Sequence, residues 1–445
     1  MTDQSFQESD FLTNYSLSQQ KIILNQSSVK QVIAAAGSGK TRTVTGLINF
    51  RILSKTYPPE KILMLSFSRK AVQELKERIP ESFRERLEIS TFHAFAYRWL
   101  SRIHPELSSG EIKILKEEDR LIFFQKYFQE HADAVGGIPY RLLLSDKKLF
   151  KELHPEIYKS SFKKFSEYKK ANQYLEYGDL IRILVNDLIA GKPYVDSLRS
   201  SYDLIVVDEF QDTDPQQLDF LKEMKCRELV VVGDDWQAIY AFRGASAEPF
   251  MNFTKQFRHT KVFYLSDNYR SLPEIIKLGN HVIQFSNRQL KKKVCAARKE
   301  KKRNAVFAVP LLPGSERFIH EQFPREFSFR ILTRSNRRRL SWIDSGLPDQ
   351  SVMTIHKSKG LEFNCVFLDI TGGWSGYSPD QKNHPGADEE IRIAYVGLTR
   401  AVNKLVIFYD PDAPLDRSQG ALFGNVFRPK VKCIKLCQLK ELLAS

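Results

Sequence analysis

The sequence predicts an α/β fold of two domains, each a parallel sheet wrapped by helices, with a helical insertion splitting the first. Three observations carry this. Short uninterrupted apolar runs alternate with helix-period segments at both ends of the chain, which is how strands buried on both faces of a parallel sheet read. A glycine-rich turn stands between an early strand and its helix. Residues 100–199 carry long aromatic and charged helical stretches and few strand signals.

Residues 32–36 form an apolar run ending in Gly-Ser-Gly-Lys-Thr, after which Val44, Leu47, Ile48 and Ile52 recur at helical spacing. The pattern repeats: 62–65 is a strand, Ser68 caps a helix whose buried face is Ala71, Leu75 and Ile79, and Pro80 ends it. Residues 121–128 and 179–188 are helices of the insertion. The runs 204–207 and 229–232 are too short for helices, and between them Asp214 and Pro215 make a capped helix start. Beyond residue 266 the alternation returns: a helix after Ser271, strands near 329–333, 351–355 and 365–369, and a last pair at 391–400 and 404–409. The expected division is a first domain over 1–99 and 200–265, the insertion over 100–199, a second α/β domain over 266–425, and a basic C-terminal segment over 426–445.

With 445 residues the chain can hold two to four domains, each with its own core. No apolar run approaches the ~18 to 20 residues that cross a bilayer, so no membrane partner is expected. The polar, acidic start is unlike a secretory leader, and a cytoplasmic location is expected. Cys226, Cys295, Cys365, Cys433 and Cys437 are scattered and lack zinc-site spacing, so they read as thiols. A net charge of +15 favours an acidic polymer as partner, because lysine and arginine displace counterions from phosphates. Charge alone does not decide the matter; motifs do.

Gly37, Ser38, Gly39, Lys40 and Thr41 lie between strand and helix, the context of a phosphate-binding loop. There, backbone N–H groups close on phosphate oxygens, Lys40 reaches the β and γ phosphates of ATP, and the Thr41 hydroxyl ligates Mg²⁺. The general pattern opens with glycine where this chain has Ala34. Residues 204–207 deliver Asp208 and Glu209 to the carboxyl end of a strand, where an open α/β sheet places its ligand. Asp208 suits the Mg²⁺ shell and Glu209 the base that deprotonates the attacking water. After a further strand, Gln237 is placed to sense the γ phosphate, and Tyr240, Phe242 and Arg243 combine base-stacking rings with a backbone-phosphate cation.

Taken together and in order, these segments resemble the UvrD/Rep type of superfamily 1 DNA helicase over almost the whole chain. Gln20 resembles the adenine-reading glutamine ahead of the P-loop, 65–71 resembles motif Ia, and Thr91-Phe92-His93 motif Ib. Residues 207–213 and 232–237 are similar to motifs II and III, Asn268-Tyr269-Arg270-Ser271 to motif IV, 354–363 to motif V and 394–401 to motif VI. The resemblance implies two RecA-like P-loop domains with ATP between them: Lys40, Thr41 and Asp208 on one wall, Arg270 and Arg400 reaching the γ phosphate from the other, and Tyr269 on the base. Arg42, Gly360 and Glu362 complete the implied nucleotide-binding set. Single-stranded or tailed DNA would cross the top of both domains, on Phe67, Arg69, Thr91, His93, Tyr240, Phe242, Arg243 and His356, and the family steps 3′ to 5′.

This chain departs from the family pattern at Ala35, Arg69 and Phe242, where glycine, asparagine and tryptophan are usual. Only 81 residues separate Arg270 from Val352, room for the second domain's own elements and not for the 2B subdomain of larger relatives, while the insertion corresponds to 1B. Two functions follow as expectations. One is an ATP-dependent 3′ to 5′ helicase or translocase on single-stranded DNA. The other, which the resemblance implies through compact relatives without 2B that stand beside nucleases, is a DNA-stimulated ATPase that licenses a protein partner such as a nuclease, for example in antiphage defence. The basic stretch 291–303, with eight Lys or Arg in thirteen positions, and the segment 428–440 are candidate docking or DNA surfaces, or solvated charge. A P-loop kinase or transporter ATPase leaves motifs Ia, IV, V and VI unexplained.

Overall fold

The structure is a computed structural model that describes residues 6–136, 138–145, 147–241, 246–300, 305–312, 314–320, 328–374, 385–415 and 418–439. In the first domain the strands are β1 (Val29–Ala34), β2 (Ile62–Ser66), β3 (Glu88–Thr91), β4 (Leu204–Val207), β5 (Glu228–Gly233) and β6 (Lys261–Leu265). They form one parallel sheet in the order β3-β2-β4-β5-β1-β6. The second domain has β7 (Val306–Pro310), β8 (Phe329–Thr333), β9 (Val352–Thr354), β10 (Phe363–Asp369), β11 (Ala401–Tyr409) and β12 (Lys432–Cys433), again parallel, in the order β9-β8-β10-β11-β7-β12. The two sheets therefore have the same topology. This mixed α/β architecture of two parallel-sheet domains is the predicted fold class.

Side-chain alternation explains the uninterrupted apolar strands, since both faces are covered. Ile33, Leu63, Leu65, Ile205, Val207 and Val231 join one core with Phe95 and Leu100 of the helix Phe92–Ile103 and Leu180 and Leu184 of Tyr177–Ala190. Their alternate neighbours Val32, Ala34, Met64, Leu204, Val206 and Val230 join the opposite core with Val44, Leu47 and Ile48 of Lys40–Leu53. The second sheet sorts the same way, with Val366, Leu368, Leu405 and Ile407 on one face and Phe367, Val406 and Phe408 on the other.

Several expected boundaries move. The first strand starts earlier and ends at Ala34, leaving Ala35 and Ala36 to the turn. Residues 391–400 fall mostly in the helix Pro385–Leu398, whereas 404–409 lie in β11. The stretch 100–199 divides in two. Its ends pack on the first sheet, while residues between 115 and 174 build a separate aromatic core of Phe124, Tyr127, Phe128, Phe150 and Phe165. Paired two-residue strands, Lys113–Ile114 and Tyr174–Leu175, close the neck between them. No helix among the described residues is long and apolar enough to cross a membrane.

The domains meet through apolar packing. Ala35, Ala36, Trp236 and Ile239 of the first domain belong to the same buried cluster as Leu272, Leu368 and Leu398 of the second. Trp236 meets Tyr395 edge to face, at a centroid distance of 5.4 Å.

Candidate active site between the two sheets

β1 lies second from the edge of its sheet and ends at the domain junction, so the turn after it opens there. Gly37 and Gly39 have φ of +65° and +79°, a backbone that side chains rarely adopt. Close approach adds a second constraint: a Cβ on Gly37 would stand 2.8 Å from Asn268 Nδ2 and Arg270 Cβ. The segment that follows β6 thus closes on the turn, with Asn268 Nδ2 donating to Ala36 O (2.6 Å) and Tyr269 N to Gly37 O (2.9 Å). Gly39 then caps the helix Lys40–Leu53, aiming unpaired N–H groups at the cleft. The Ser38 hydroxyl is buried there without a hydrogen-bond partner. A cradle of left-handed glycines, an orphaned hydroxyl and a helix N-terminus fits a phosphate chain.

Lys40 crosses to Glu209 at 3.0 Å. Burial disfavours its ammonium, but the carboxylates of Glu209, Asp234 and Asp208 outweigh that and raise its pKa. Asp208, 4% exposed, is pushed up to about 7 by burial and by the neighbouring Glu209 charge. Glu209 goes the other way: burial works against its charge, yet Lys40 and Lys359 hold it down near 2. It therefore stands as a carboxylate while its neighbour is primed to gain charge when a cation arrives. Glu209 also has a left-handed backbone, φ +55°, a strained conformation of the kind that persists where function requires it. Thr41, Asp208 and Glu209 line one small cavity, which brings together the hydroxyl and carboxylate suited to Mg²⁺.

The opposite wall comes from the second domain. Arg270 pairs with Glu362 at 2.6 Å. Arg400 is 1% exposed and donates to Gln237 Oε1 (2.9 Å), Leu361 O (3.2 Å) and Val396 O (3.0 Å). Burial, and then the charge of Arg270, push its pKa down to about 9. Two arginines thus border one cleft, with the Arg400 cation disfavoured by burial and by Arg270, a strain that a phosphate would relieve. Gly37, Ser38, Gly39, Lys40, Thr41, Arg42, Glu209, Gln237, Tyr269, Arg270, Gly360, Glu362 and Arg400 all line this one cleft.

Gln20 does not join them. Its amide donates to Leu12 O and Tyr15 O, both at 2.9 Å. The glutamine that faces the loop is Gln19, whose Nε2 lies 2.7 Å from where a Cβ on Gly39 would be. The sequence held the signal: Ser16-x-x-Gln19 is a capping box, which turns Gln19 back over the helix start. Arg42 rests on the Tyr15 ring, 5.5 Å from its centroid, and donates to Asn14 O.

Beside the cleft, Phe67 stacks on Tyr240 with centroids 5.1 Å apart and planes at 20°. Tyr240 also donates to His356 O (3.4 Å), and His356 Nε2 meets Ile239 O at 3.2 Å. Arg69 is exposed at the start of the helix Arg69–Arg78. Thr91 accepts Ala94 N as the cap of the helix Phe92–Ile103, of which His93 is the second residue. His93 packs edge-on against Tyr177 at 5.9 Å, and burial lowers its pKa. Phe242 and Arg243 lie outside the described residues. Sequence reasoning passed over Lys359, which lies 4.8 Å above the Tyr240 ring, binds Asp212, and donates to Gln237 O at 2.8 Å. One side chain thus touches both the aromatic stack and the sensor segment of the cleft.

Comparison with known proteins agrees with this geometry. Residues 16–258 match the model of the UvrD/REP helicase N-terminal domain, and 329–411 that of the UvrD-like helicase C-terminal domain. A probable DNA helicase of Mycoplasma pneumoniae is 26% identical over 86% of this chain and 81% of its own length. The putative ATP-dependent DNA helicase YjcD of Bacillus subtilis is 29% identical over 60% of this chain, and an ATP-dependent DNA helicase PcrA of Staphylococcus aureus 29% over 57%. The matched regions span only 38% and 37% of those two relatives.

Proposed function

From the premise that this chain belongs to the UvrD/REP helicase family, we propose that it is an ATP-driven motor on single-stranded DNA, stepping 3′ to 5′ and opening tailed duplexes. The observation that carries the proposal is the shared boundary of two cavities. Thr41 and Glu209 line both the nucleotide cleft and a second cavity walled by Phe67, Tyr240 and Lys359. Events at the γ phosphate and at a stacked base would act on the same few side chains.

The residues divide the chemistry between them. The glycine turn and Lys40 bind the phosphate chain, Tyr269 and Gln19 bound the nucleoside end, and Thr41 and Asp208 would hold Mg²⁺. That ion supplies charge neutralisation on the phosphate oxygens. Glu209, ionised and anchored by Lys40, orients a water and takes its proton. Arg270 and Arg400 neutralise charge on the transferred group, which requires the second domain to be closed on the first. Closure also moves His356 and Lys359 of the second domain relative to the Phe67–Tyr240 stack of the first. A base gripped by the rings, at ~1 to 3 kcal/mol per stack, would be released and regripped in each cycle.

Steady-state ATP hydrolysis with and without a single-stranded oligonucleotide tests the motor. Strand displacement from 3′-tailed and 5′-tailed duplexes then tests polarity. DNA stimulation with opening of the 3′-tailed duplex alone is expected; no stimulation, or opening from the 5′ tail, would overturn the reading.

A further inference from the structure

The basic stretch after the helix Pro273–Ile283 contains a lysine that serves neither solvent nor DNA. The Lys292 side chain is 2% exposed and reaches across the domain junction to Asp234 Oδ1 (2.6 Å) and Asp235 Oδ1 (2.7 Å), both acids fully buried. Its ammonium also lies 4.6 Å from the Trp236 ring centroid. Asp235 is further fixed by Leu290 N at 2.7 Å.

Asp234 is shared. Its Oδ1 takes Lys292 and Trp236 N, and its Oδ2 takes the Nε2 of Gln237. That bond turns the amide of Gln237 so that its Oε1 faces Arg400 Nη2 at 2.9 Å. On its other side the Asp234 backbone N–H donates to Gln211 Oε1 (2.9 Å), and Gln211 Nε2 donates to Glu209. A continuous buried chain thus runs from Lys292 of the second domain to Gln237 and Arg400, and by its other branch to Glu209.

Stability alone does not account for this arrangement. Burying an ammonium with two carboxylates costs desolvation that the ion pairs at best offset, and an apolar side chain could pack against Trp236 as well. What an apolar side chain cannot do is bond to Asp234 Oδ1 and so fix that side chain in one rotamer beside Gln237. We propose that Lys292 is a positioning residue for ATP hydrolysis: by clamping Asp234 across the domain junction it sets the amide of Gln237, and through it Arg400, against the γ phosphate. This rests on the reading of the cleft as an ATPase site.

The test compares the wild-type chain with Lys292→Met, Lys292→Arg and the double variant Lys292→Met/Asp235→Asn, measuring kcat and KM for ATP with saturating oligonucleotide, and the melting temperature. Lys292→Met is expected to lower kcat by about 10²-fold, the scale of a small misplacement at a reacting centre, with KM for ATP changed by much less. The double variant, which removes one uncompensated buried charge, is expected to melt higher than Lys292→Met and to stay slow; it carries the comparison if the single variant does not fold. Lys292→Arg, with the charge kept but displaced, should fall between. Turnover that recovers together with melting temperature, or a Lys292→Met kcat equal to wild type, would show a structural staple and overturn the inference. A wild-type chain without turnover would instead overturn the reading of the cleft, and this inference with it.

Discussion

At the end of β4, Asp208 and Glu209 face an open cleft; at the end of β10, the strand in the same place of the second sheet, Asp369 faces protein. Asp369 is fully buried, binds Arg338 and the Trp342 indole N–H at 2.6 Å each, and accepts Thr371 N (2.9 Å) and Thr371 Oγ1 (2.7 Å). Arg338 also binds Glu316, which follows β7 as Lys40 follows β1. In the second domain, then, the ligand position of the sheet is filled by its own arginine and tryptophan. The same topology yields a reactive edge where the carboxylates border a cavity and a solid one where the carboxylate is enclosed by its own domain. The second domain is left to contribute arginines to its neighbour's site.

Four experiments bear on that contrast. The largest effect is expected from Arg270→Ala, which should lower DNA-stimulated kcat by about 10³-fold or more, the worth of an arginine supplied across such a cleft. A loss of less than tenfold would mean that the second domain does not complete the site. Glu209→Gln should cost about 10² to 10⁴-fold in turnover with little change in thermal stability, and steady-state hydrolysis beside a melting curve reads both. Asp369→Asn should show the reverse: about 1.5 to 3 kcal/mol less stability by chemical denaturation, from weakened bonds to Arg338 and Trp342, with turnover largely kept. Turnover lost from a folded Asp369→Asn protein would break the comparison.

The smallest effect concerns the opposite, amino end of the first sheet. There Glu228 begins β5 and is buried with Lys30 (2.6 Å) and Arg51 (3.0 Å). Burial works against its charge, but Arg51 and Lys30 hold its carboxyl below the usual glutamate range. A depressed folded-state pKa means a stabilising contribution complete above the unfolded value of about 4.3 and lost as pH falls through the folded one. Denaturation midpoints should therefore fall more steeply below about pH 4.3 in the wild type than in Glu228→Gln; parallel curves would show that this triad titrates no differently on unfolding.

How much the sequence disclosed follows strand position. β2, β4, β5 and the second half of β1 lie inside the first sheet and read directly as apolar runs. β3 and β6 are its edges, half-buried and mixed in character, and gave no signal; β7 ends in Pro310, which argues locally against a strand. Residues 391–400, rich in apolar side chains, cannot be told from a strand by periodicity, and only packing makes them helical. The nucleotide site was legible because its residues sit at strand ends. Lys292 was not, because its partners lie 57 and 58 positions away and nothing local separates a buried lysine from a solvated one. The resemblance pointed to Gln20, and the capping pattern that turns Gln19 over the helix start went unread.

The neck of the helical insertion has a further consequence. At Lys113–Ile114 and Tyr174–Leu175 the chain leaves and returns through adjacent strands, about 4.8 Å apart, with Ile114 and Leu175 packed toward the sheet and Tyr174 toward the aromatic core. The two strands run parallel, so to the first sheet the whole excursion is a crossover whose two ends lie side by side. Its length enters the domain's loop-closure entropy hardly at all, because the intervening residues are condensed around their own rings. A part attached in this way is modular: it can grow, shrink or be exchanged without renegotiating the register of the strands that carry the nucleotide site.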